Sequence, residues 1–172
     1  MQRSAFLVVG AESTGTRLVT RILITAGCAG SDGHDQPFDA RDGLPRSGNL
    51  VWRRSVPHRG AMLDLKAMRK RLQGFSVHVV VVIRDWTITA RSQLQRGHET
   101  VPQVFPGKLQ LAYGAIFEQI MAEDLPFTLV VYESLVLHPG QAQRALKQSL
   151  GLEAPKTFIT VSDENRKHWE TP

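Results

Sequence analysis

The feature that most constrains the fold is the stretch AFLVVGAESTGTRLV, in which an apolar run leads through a glycine-bounded turn into a helix. Residues 5–9 are apolar without interruption, which is typical of a parallel strand buried on both faces. Gly10 and Gly15 have the spacing of the phosphate-binding pattern GxxxxGK[ST], but Thr16 and Arg17 follow the second glycine. The stretch therefore predicts an anion-binding strand–loop–helix unit without the lysine of a nucleoside triphosphate site.

Strand and helix patterns alternate along the rest of the chain. Further strands are predicted at 50–52, 77–83 and 127–132, and helices at 16–26, 62–72, 87–95, 108–123 and 141–150, with a loop at 102–107. This alternation predicts an α/β fold, a three-layer sandwich with a mostly parallel sheet. The length of 172 residues predicts a single domain over residues 1–172, with a long loop insertion at about 27–49.

Composition narrows the classes of function. The chain has 21 Lys and Arg against 16 Asp and Glu, a net charge of +5 that favours an anionic ligand. The basic residues form no long run interleaved with aromatic residues, so nucleic acid is the weaker candidate. No window approaches the roughly 20 apolar residues of a membrane span, and residues 5–9 are too short for a signal-peptide core. Cys28 is the sole cysteine, which fits a cytoplasmic location.

The predicted strand ends bring candidate site residues together. Residues 10–16, Arg84 and Glu133 each follow a predicted strand directly, and ligands of parallel sheets bind beyond the carboxyl ends of the strands. Arg84 could grip a phosphate with two N–H groups, and the Ser92 hydroxyl, two helical turns later, could close it from another side. No aspartate is clearly placed for magnesium, although Asp85 is a candidate.

Within the glycine loop, defined here as residues 10–16, several donors are available for an oxyanion. The backbone N–H groups of Thr14, Gly15 and Thr16 are expected to point into the loop at the positive end of the following helix. Hydroxyls of Ser13, Thr14 and Thr16 add further donors, and Arg17 adds a positive charge. The crowding of hydroxyls between two glycines favours phosphate binding over a plain turn.

The pair Arg84 and Ser92 resembles the 3′-phosphate motif of sulfotransferases that use 3′-phosphoadenosine 5′-phosphosulfate (PAPS). In that family the motif looks like R-(D/N)-P-x-x-x-x-x-S, and here Asp85 matches its second position while Trp86 replaces the proline. The resemblance is to a short, bacterial or phage-type member with a fold like that of the P-loop nucleoside triphosphate hydrolases. It explains the missing lysine, because such an enzyme transfers no γ-phosphate and needs no metal.

Three other segments resemble the same family. Residues 14–17, TGTR, are similar to the GGTR form of its 5′-phosphosulfate loop in carbohydrate-modifying members. Residues 130–152, VVYESLVLHPGQAQRALKQSLGL, look like its C-terminal strand–helix unit, and residues 53–57, RRSVP, are weakly similar to its K-T-H-L-P segment. The resemblance implies transfer of a sulfuryl group from PAPS to an acceptor hydroxyl, with adenosine 3′,5′-bisphosphate (PAP) as the product. The acceptor would be a small molecule or a glycan; its identity and the oligomeric state stay open.

The resemblance also implies roles for single residues. The loop and Arg17 would hold the 5′-phosphate, while Arg84 and Ser92 would hold the 3′-phosphate, capped by Arg166 and Lys167. The family's early loop cation is replaced by Ser13, so Arg17 or Arg54 is the candidate for that charge. For the general base His58 is preferred, since histidine titrates near working pH, and Glu12 is the second candidate. Glu133 is expected to orient a strand-end arginine or backbone.

Two other classes of function stay open from the sequence. A P-loop kinase or ATPase has a similar glycine loop but needs a lysine after Gly15 and a magnesium carboxylate. A non-catalytic relative could keep the fold and bind a nucleotide, a sulfated glycan or another subunit.

Overall fold

The computed structural model describes residues 3–32, 44–45, 47–57, 61–95, 105–153 and 158–165. Strands and helices alternate in the order β1 (Arg3–Ala11), α1 (Thr16–Thr25), β2 (Leu50–Val56), α2 (Leu65–Arg71), β3 (Phe75–Ile83), α3 (Trp86–Gln95), α4 (Phe105–Ala122), β4 (Phe127–Val131), α5 (Tyr132–Leu137) and α6 (Pro139–Ser149).

The four strands form one sheet in the order β2-β1-β3-β4, and every neighbouring pair is parallel. The two central strands are almost wholly apolar because both of their faces are covered. Parallel pairing requires crossover connections, which the helices provide. The carboxyl ends of β1 and β3, where the glycine loop and Arg84 begin, therefore lie at the same edge of the sheet.

Helices cover both faces of the sheet and make three layers. On one face, Val19 and Ile22 of α1 and Leu146 of α6 pack against Phe6 and Val8 of β1. On the other face, side chains of α2 and α4 pack against alternate residues of the same strands: Leu65, Met68, Ile116 and Ile120 against Leu7, Val9 and Val79. The predicted α/β sandwich with a parallel sheet is confirmed.

Several predicted boundaries were wrong. β2 continues past Trp52 to Val56, because Arg53 and Arg54 stay in register with Val8 and Val9 of β1. The predicted loop at 102–107 is wrong at its end, since α4 begins at Phe105.

The sequence also missed α5. Tyr132 was placed at the end of a strand, but it starts this short helix and is only 3% exposed. The pattern VVY is apolar enough to continue a strand, so it contains no signal that β4 ends at Val131. In the described part of the chain, no helix is both long and apolar enough to cross a membrane.

Candidate functional site

Two glycines give the loop after β1 its shape. A Cβ atom on Gly10 would lie 2.6 Å from both the Thr14 hydroxyl and the Val82 carbonyl oxygen, so the chain passes too close there for any side chain. Gly15 has a left-handed φ of 93° and lies against the Tyr132 ring, where a Cβ atom would collide. The glycine spacing seen in the sequence thus reflects two close approaches as well as a turn.

Thr14 was predicted to donate hydrogen bonds to a phosphate, but in the structure its donors are used within the glycine loop. Its hydroxyl and its backbone N–H both donate to the Ala11 carbonyl oxygen, at 2.8 and 3.3 Å, and the residue is only 1% exposed. Donors already committed to a carbonyl do not point at a ligand. Thr14 therefore holds the loop in shape, and the N–H groups of Gly15 and Thr16 at the start of α1 remain as candidate anion donors.

Arg84 lies at the centre of the site. Its guanidinium stacks over the Tyr132 ring, 4.5 Å from the centroid, and its Nη1 donates to the Ser13 carbonyl oxygen at 2.8 Å. Its Nε and Nη2 both donate to the side-chain oxygen of Asn165. Burial is the main cause that raises the pKa of Tyr132, so the ring stays neutral beside this cation. The strand-end arginine is thereby fixed directly beside the glycine loop, on the same tyrosine that packs against Gly15.

The start of α3 is organised by carboxylates and amides. Asp85 is the N-cap residue of α3. Its carboxylate accepts the Ile88 N–H at 2.9 Å and so pairs one of the free N–H groups of the first turn. Glu133 accepts the Asp85 N–H at 3.0 Å, which is the backbone contact predicted for it. About two turns later, Gln93 donates to the Glu12 carbonyl oxygen at 2.6 Å and ties α3 to the glycine loop.

These elements enclose one cleft of about 350 Å³. Residues from the loop and the start of α1 line one wall: Ser13, Gly15, Thr16, Arg17, Leu18 and Arg21. Arg84, Ser92 and Tyr132 line another, and residues 160–162 with Glu164 complete the lining on the C-terminal side of the chain. The structure thus brings most of the predicted phosphate-binding residues together.

The charge of this cleft is strongly positive. Arg17, Arg21, Arg53 and Arg84 line it, and Glu164 is the one carboxylate among its described lining residues. Arg21 is paired with Asp32 at 2.8 Å at the outer end, where the guanidinium lowers the pKa of the carboxyl. Such an excess of guanidinium groups suits a ligand with several negative charges.

The arginine of β2 that lines the cleft is Arg53, whereas the sequence analysis had named Arg54. Successive side chains of a strand point to opposite faces, so Arg53 and Ser55 face α1 and the cleft, while Arg54 faces the layer of α2 and α4. Arg53 is 8% exposed, and its Nη1 lies 3.5 Å from the Thr16 hydroxyl oxygen. Arg53 therefore brings a buried positive charge to the loop, the place proposed for Arg54.

Of the two predicted general bases, the structure describes Glu12. Glu12 is not among the described residues that line the cleft. His58, Arg166 and Lys167 lie outside the described residues. Among residues the structure does describe, no group of three or more His, Cys, Asp or Glu side chains is arranged to hold a metal ion.

Sequence reasoning missed three residues of the site. Arg53 could have been chosen over Arg54 from strand alternation, had β2 been extended beyond Trp52. Tyr132 carried a weak signal, its position at a strand end. Asn165 carried none, since it meets Arg84 across 81 positions of sequence.

Comparison with known proteins gives a fold assignment. No family model matches the chain, and no curated protein sequence matches it. The chain is similar in structure to a sulfotransferase from Alicyclobacillus acidocaldarius, solved by crystallography, with a TM-score of 0.52 and 17% sequence identity over 98% of this chain and 90% of that one. The chain therefore has a sulfotransferase-like fold, as the motif resemblance predicted.

Proposed function

We propose that this protein, which has a sulfotransferase-like fold, transfers a sulfuryl group from PAPS to an acceptor hydroxyl. The observation that carries the proposal is that two groups of predicted phosphate-binding residues line one cleft: the glycine loop with the start of α1, and Arg84 with Ser92. A nucleotide with phosphates on both its 5′ and 3′ positions has two anionic groups to fill them. The four arginines of the cleft match the high negative charge of such a ligand.

In the proposed reaction the acceptor oxygen attacks the sulfur in line. The new O–S bond forms as the bond from sulfur to the bridging phosphate oxygen breaks, and PAP leaves with that electron pair. The chain's task is to hold the reactants in line and to stabilise the charge that grows on the leaving phosphate. We propose that the N–H groups of Gly15 and Thr16 and the guanidinium of Arg17, which line the cleft, stabilise this charge.

Arg53 is proposed to replace the loop lysine of related phosphate-binding folds. It reaches the loop from β2, lies almost wholly buried and approaches the Thr16 hydroxyl. Because a guanidinium stays protonated at any working pH and is buried here, its charge acts on the leaving group with little screening by water. The 3′-phosphate would contact Arg84 and Ser92, with Arg166 and Lys167 as further candidates.

His58 stays the proposed base that takes the acceptor proton. The chain passes the cleft at Ser55, three positions before it, so the histidine follows the cleft wall in sequence. Glu12 is the second candidate for this role. The acceptor is proposed to be a small molecule or a glycan, with a sugar hydroxyl suggested by the GTR form of the loop.

Calorimetric titration tests the nucleotide assignment. We expect PAP to bind, AMP to bind much more weakly, and ATP with magnesium to show no advantage. Arg84→Ala should abolish PAP binding, while Lys70→Ala, on the exposed surface of α2, should leave it unchanged. Tight ATP–magnesium binding without PAP binding would favour a kinase and refute the proposal.

Transfer itself needs a separate measurement. Labelled PAPS incubated with a panel of sugar and small-molecule acceptors should give labelled product, and His58→Ala should slow transfer while sparing PAP binding. PAP binding without transfer to any acceptor would instead indicate a non-catalytic nucleotide-binding relative.

A further inference from the structure

The C-terminal strap, defined as residues 158–165, contributes four residues to the lining of the cleft and is held at its start by α6. Gln143 is fully buried, and its amide donates to the Ile159 carbonyl oxygen at 2.8 Å and accepts the Ile159 N–H at 3.1 Å. The Lys147 ammonium lies 5.8 Å from the centroid of the Phe158 ring. These contacts hold the start of the strap against α6.

At that far end, Asn165 meets Arg84. Asn165 is 8% exposed, and its side-chain oxygen accepts hydrogen bonds from both Nε and Nη2 of the guanidinium. The backbone N–H of Asn165 donates to the Asp163 carboxylate at 3.0 Å, a hydrogen bond that links the last residues of the strap to one another. The Nη1 group of Arg84 is directed to the Ser13 carbonyl oxygen.

Asn165 occupies the edge of the Arg84 guanidinium that is formed by Nε and Nη2, called the Arg84 edge below. The Nε and Nη2 groups of an arginine present two nearly parallel N–H bonds, which is the arrangement that binds a phosphate or carboxylate with two hydrogen bonds. In this structure that edge faces a neutral amide oxygen of the chain itself. A phosphate that uses the same edge has to displace Asn165.

We propose that Asn165 competes with the 3′-phosphate for Arg84 and thereby sets the affinity of the site for a 3′-phosphorylated nucleotide; this inference rests on the proposed function. A phosphate dianion is a stronger acceptor for a guanidinium than an amide oxygen, so it can displace Asn165. A neutral 3′-hydroxyl is a weaker acceptor and does not. A nucleotide without a 3′-phosphate therefore leaves Asn165 on Arg84, and the competition affects only the binding of 3′-phosphorylated nucleotides.

The competition has a measurable consequence. The apparent affinity for a nucleotide that needs the Arg84 edge is reduced by the fraction of molecules in which Asn165 occupies it. Removing the competing oxygen should therefore tighten PAP binding, whereas a carboxylate at the same place should hold Arg84 more strongly. The two substitutions act in opposite directions, which a purely structural role of Asn165 would not produce.

The experiment is calorimetric titration of PAP and AMP into the whole protein and two variants. We expect Asn165→Ala to bind PAP about 10-fold tighter and Asn165→Asp about 10-fold weaker, with AMP binding changed less than about 2-fold in both. Gln148→Ala, on the exposed face of α6, is the matched control and should behave like the wild type. Thermal unfolding of each variant checks that it is folded.

The outcomes separate the two proposals. If the wild type binds PAP and Asn165→Ala binds it equally or more weakly, Asn165 does not compete but orients Arg84, and the inference is overturned while the function stands. If Asn165→Ala does not fold, the shift of Asn165→Asp decides: tighter or unchanged PAP binding overturns the inference. If no folded protein binds PAP, the proposed function fails and the competition fails with it.

Discussion

Replacing Gly15 by alanine should destabilise the protein for two separable reasons. Its left-handed φ of 93° costs an alanine roughly 1–2 kcal/mol. The added Cβ would also collide with the Tyr132 ring, which is 3% exposed and cannot swing into solvent without breaking its contact with Arg84. Forcing such a contact in a packed region costs roughly 1–3 kcal/mol more, so we expect a total loss of about 2–5 kcal/mol.

Gly27 supplies a matched control for this experiment. Its φ of 91° is nearly the same, but an added Cβ would meet nothing within 4 Å. Gly27→Ala should therefore show only the backbone cost, about 1–2 kcal/mol. The difference between the two variants measures the collision with Tyr132.

Urea unfolding gives both free energies, since a change in midpoint with constant slope reports stability. In a Tyr132→Ala background, Gly15→Ala should cost no more than Gly27→Ala does. Equal losses for the two glycine variants in the natural background would refute the argument that the loop is set against the tyrosine ring. Weakened PAP binding by Gly15→Ala in conditions where it is folded would show that the same packing shapes the proposed site.

Two further predictions concern β2 and the core. Arg53→Ala should weaken PAP binding about 10-fold while Arg54→Ala changes it less than about 2-fold, because only Arg53 faces the cleft; equal effects in a titration would contradict the assigned sides of the strand. Burial raises the pKa of the Cys28 thiol from 9.0 to about 11, so the thiol's contribution to stability is complete below pH 9 and is lost as the pH rises to 11. Cys28→Ala should lack this loss of about 2–3 kcal/mol when urea unfolding is followed between pH 8 and 11, and parallel pH profiles of the two proteins would refute it.

The layered fold was predictable because its signals are local. The run VHVVVVI predicts a strand buried on both faces, and the stripe of Leu18, Ile22 and Leu23 predicts a helix that packs on one side. Repeated strand–helix units then leave few topologies, since parallel strands need crossovers. The placement of the glycine loop and Arg84 at one edge followed from that topology alone.

The exact ends of the strands and helices, and the contacts inside the glycine loop, were harder to predict from the sequence. Tyr132 was taken as a strand residue because its neighbours are β-branched, but in the structure it is the first residue of a helix and its ring packs between Gly15 and Arg84. Thr14 was taken as a ligand donor, although its hydroxyl turns to Ala11. A hydroxyl in a loop has donors and acceptors on several sides, and the sequence does not say which one it reaches.

By itself, then, the sequence determined the α/β class, the parallel sheet and the edge at which the glycine loop and Arg84 meet, because hydrophobic periodicity and glycine spacing act over a few residues. The tertiary structure decided which arginine of β2 faces the cleft and that Asn165 holds the Arg84 edge. Those choices depend on contacts such as the one between Arg84 and Asn165, 81 positions apart, which form only when the layers pack.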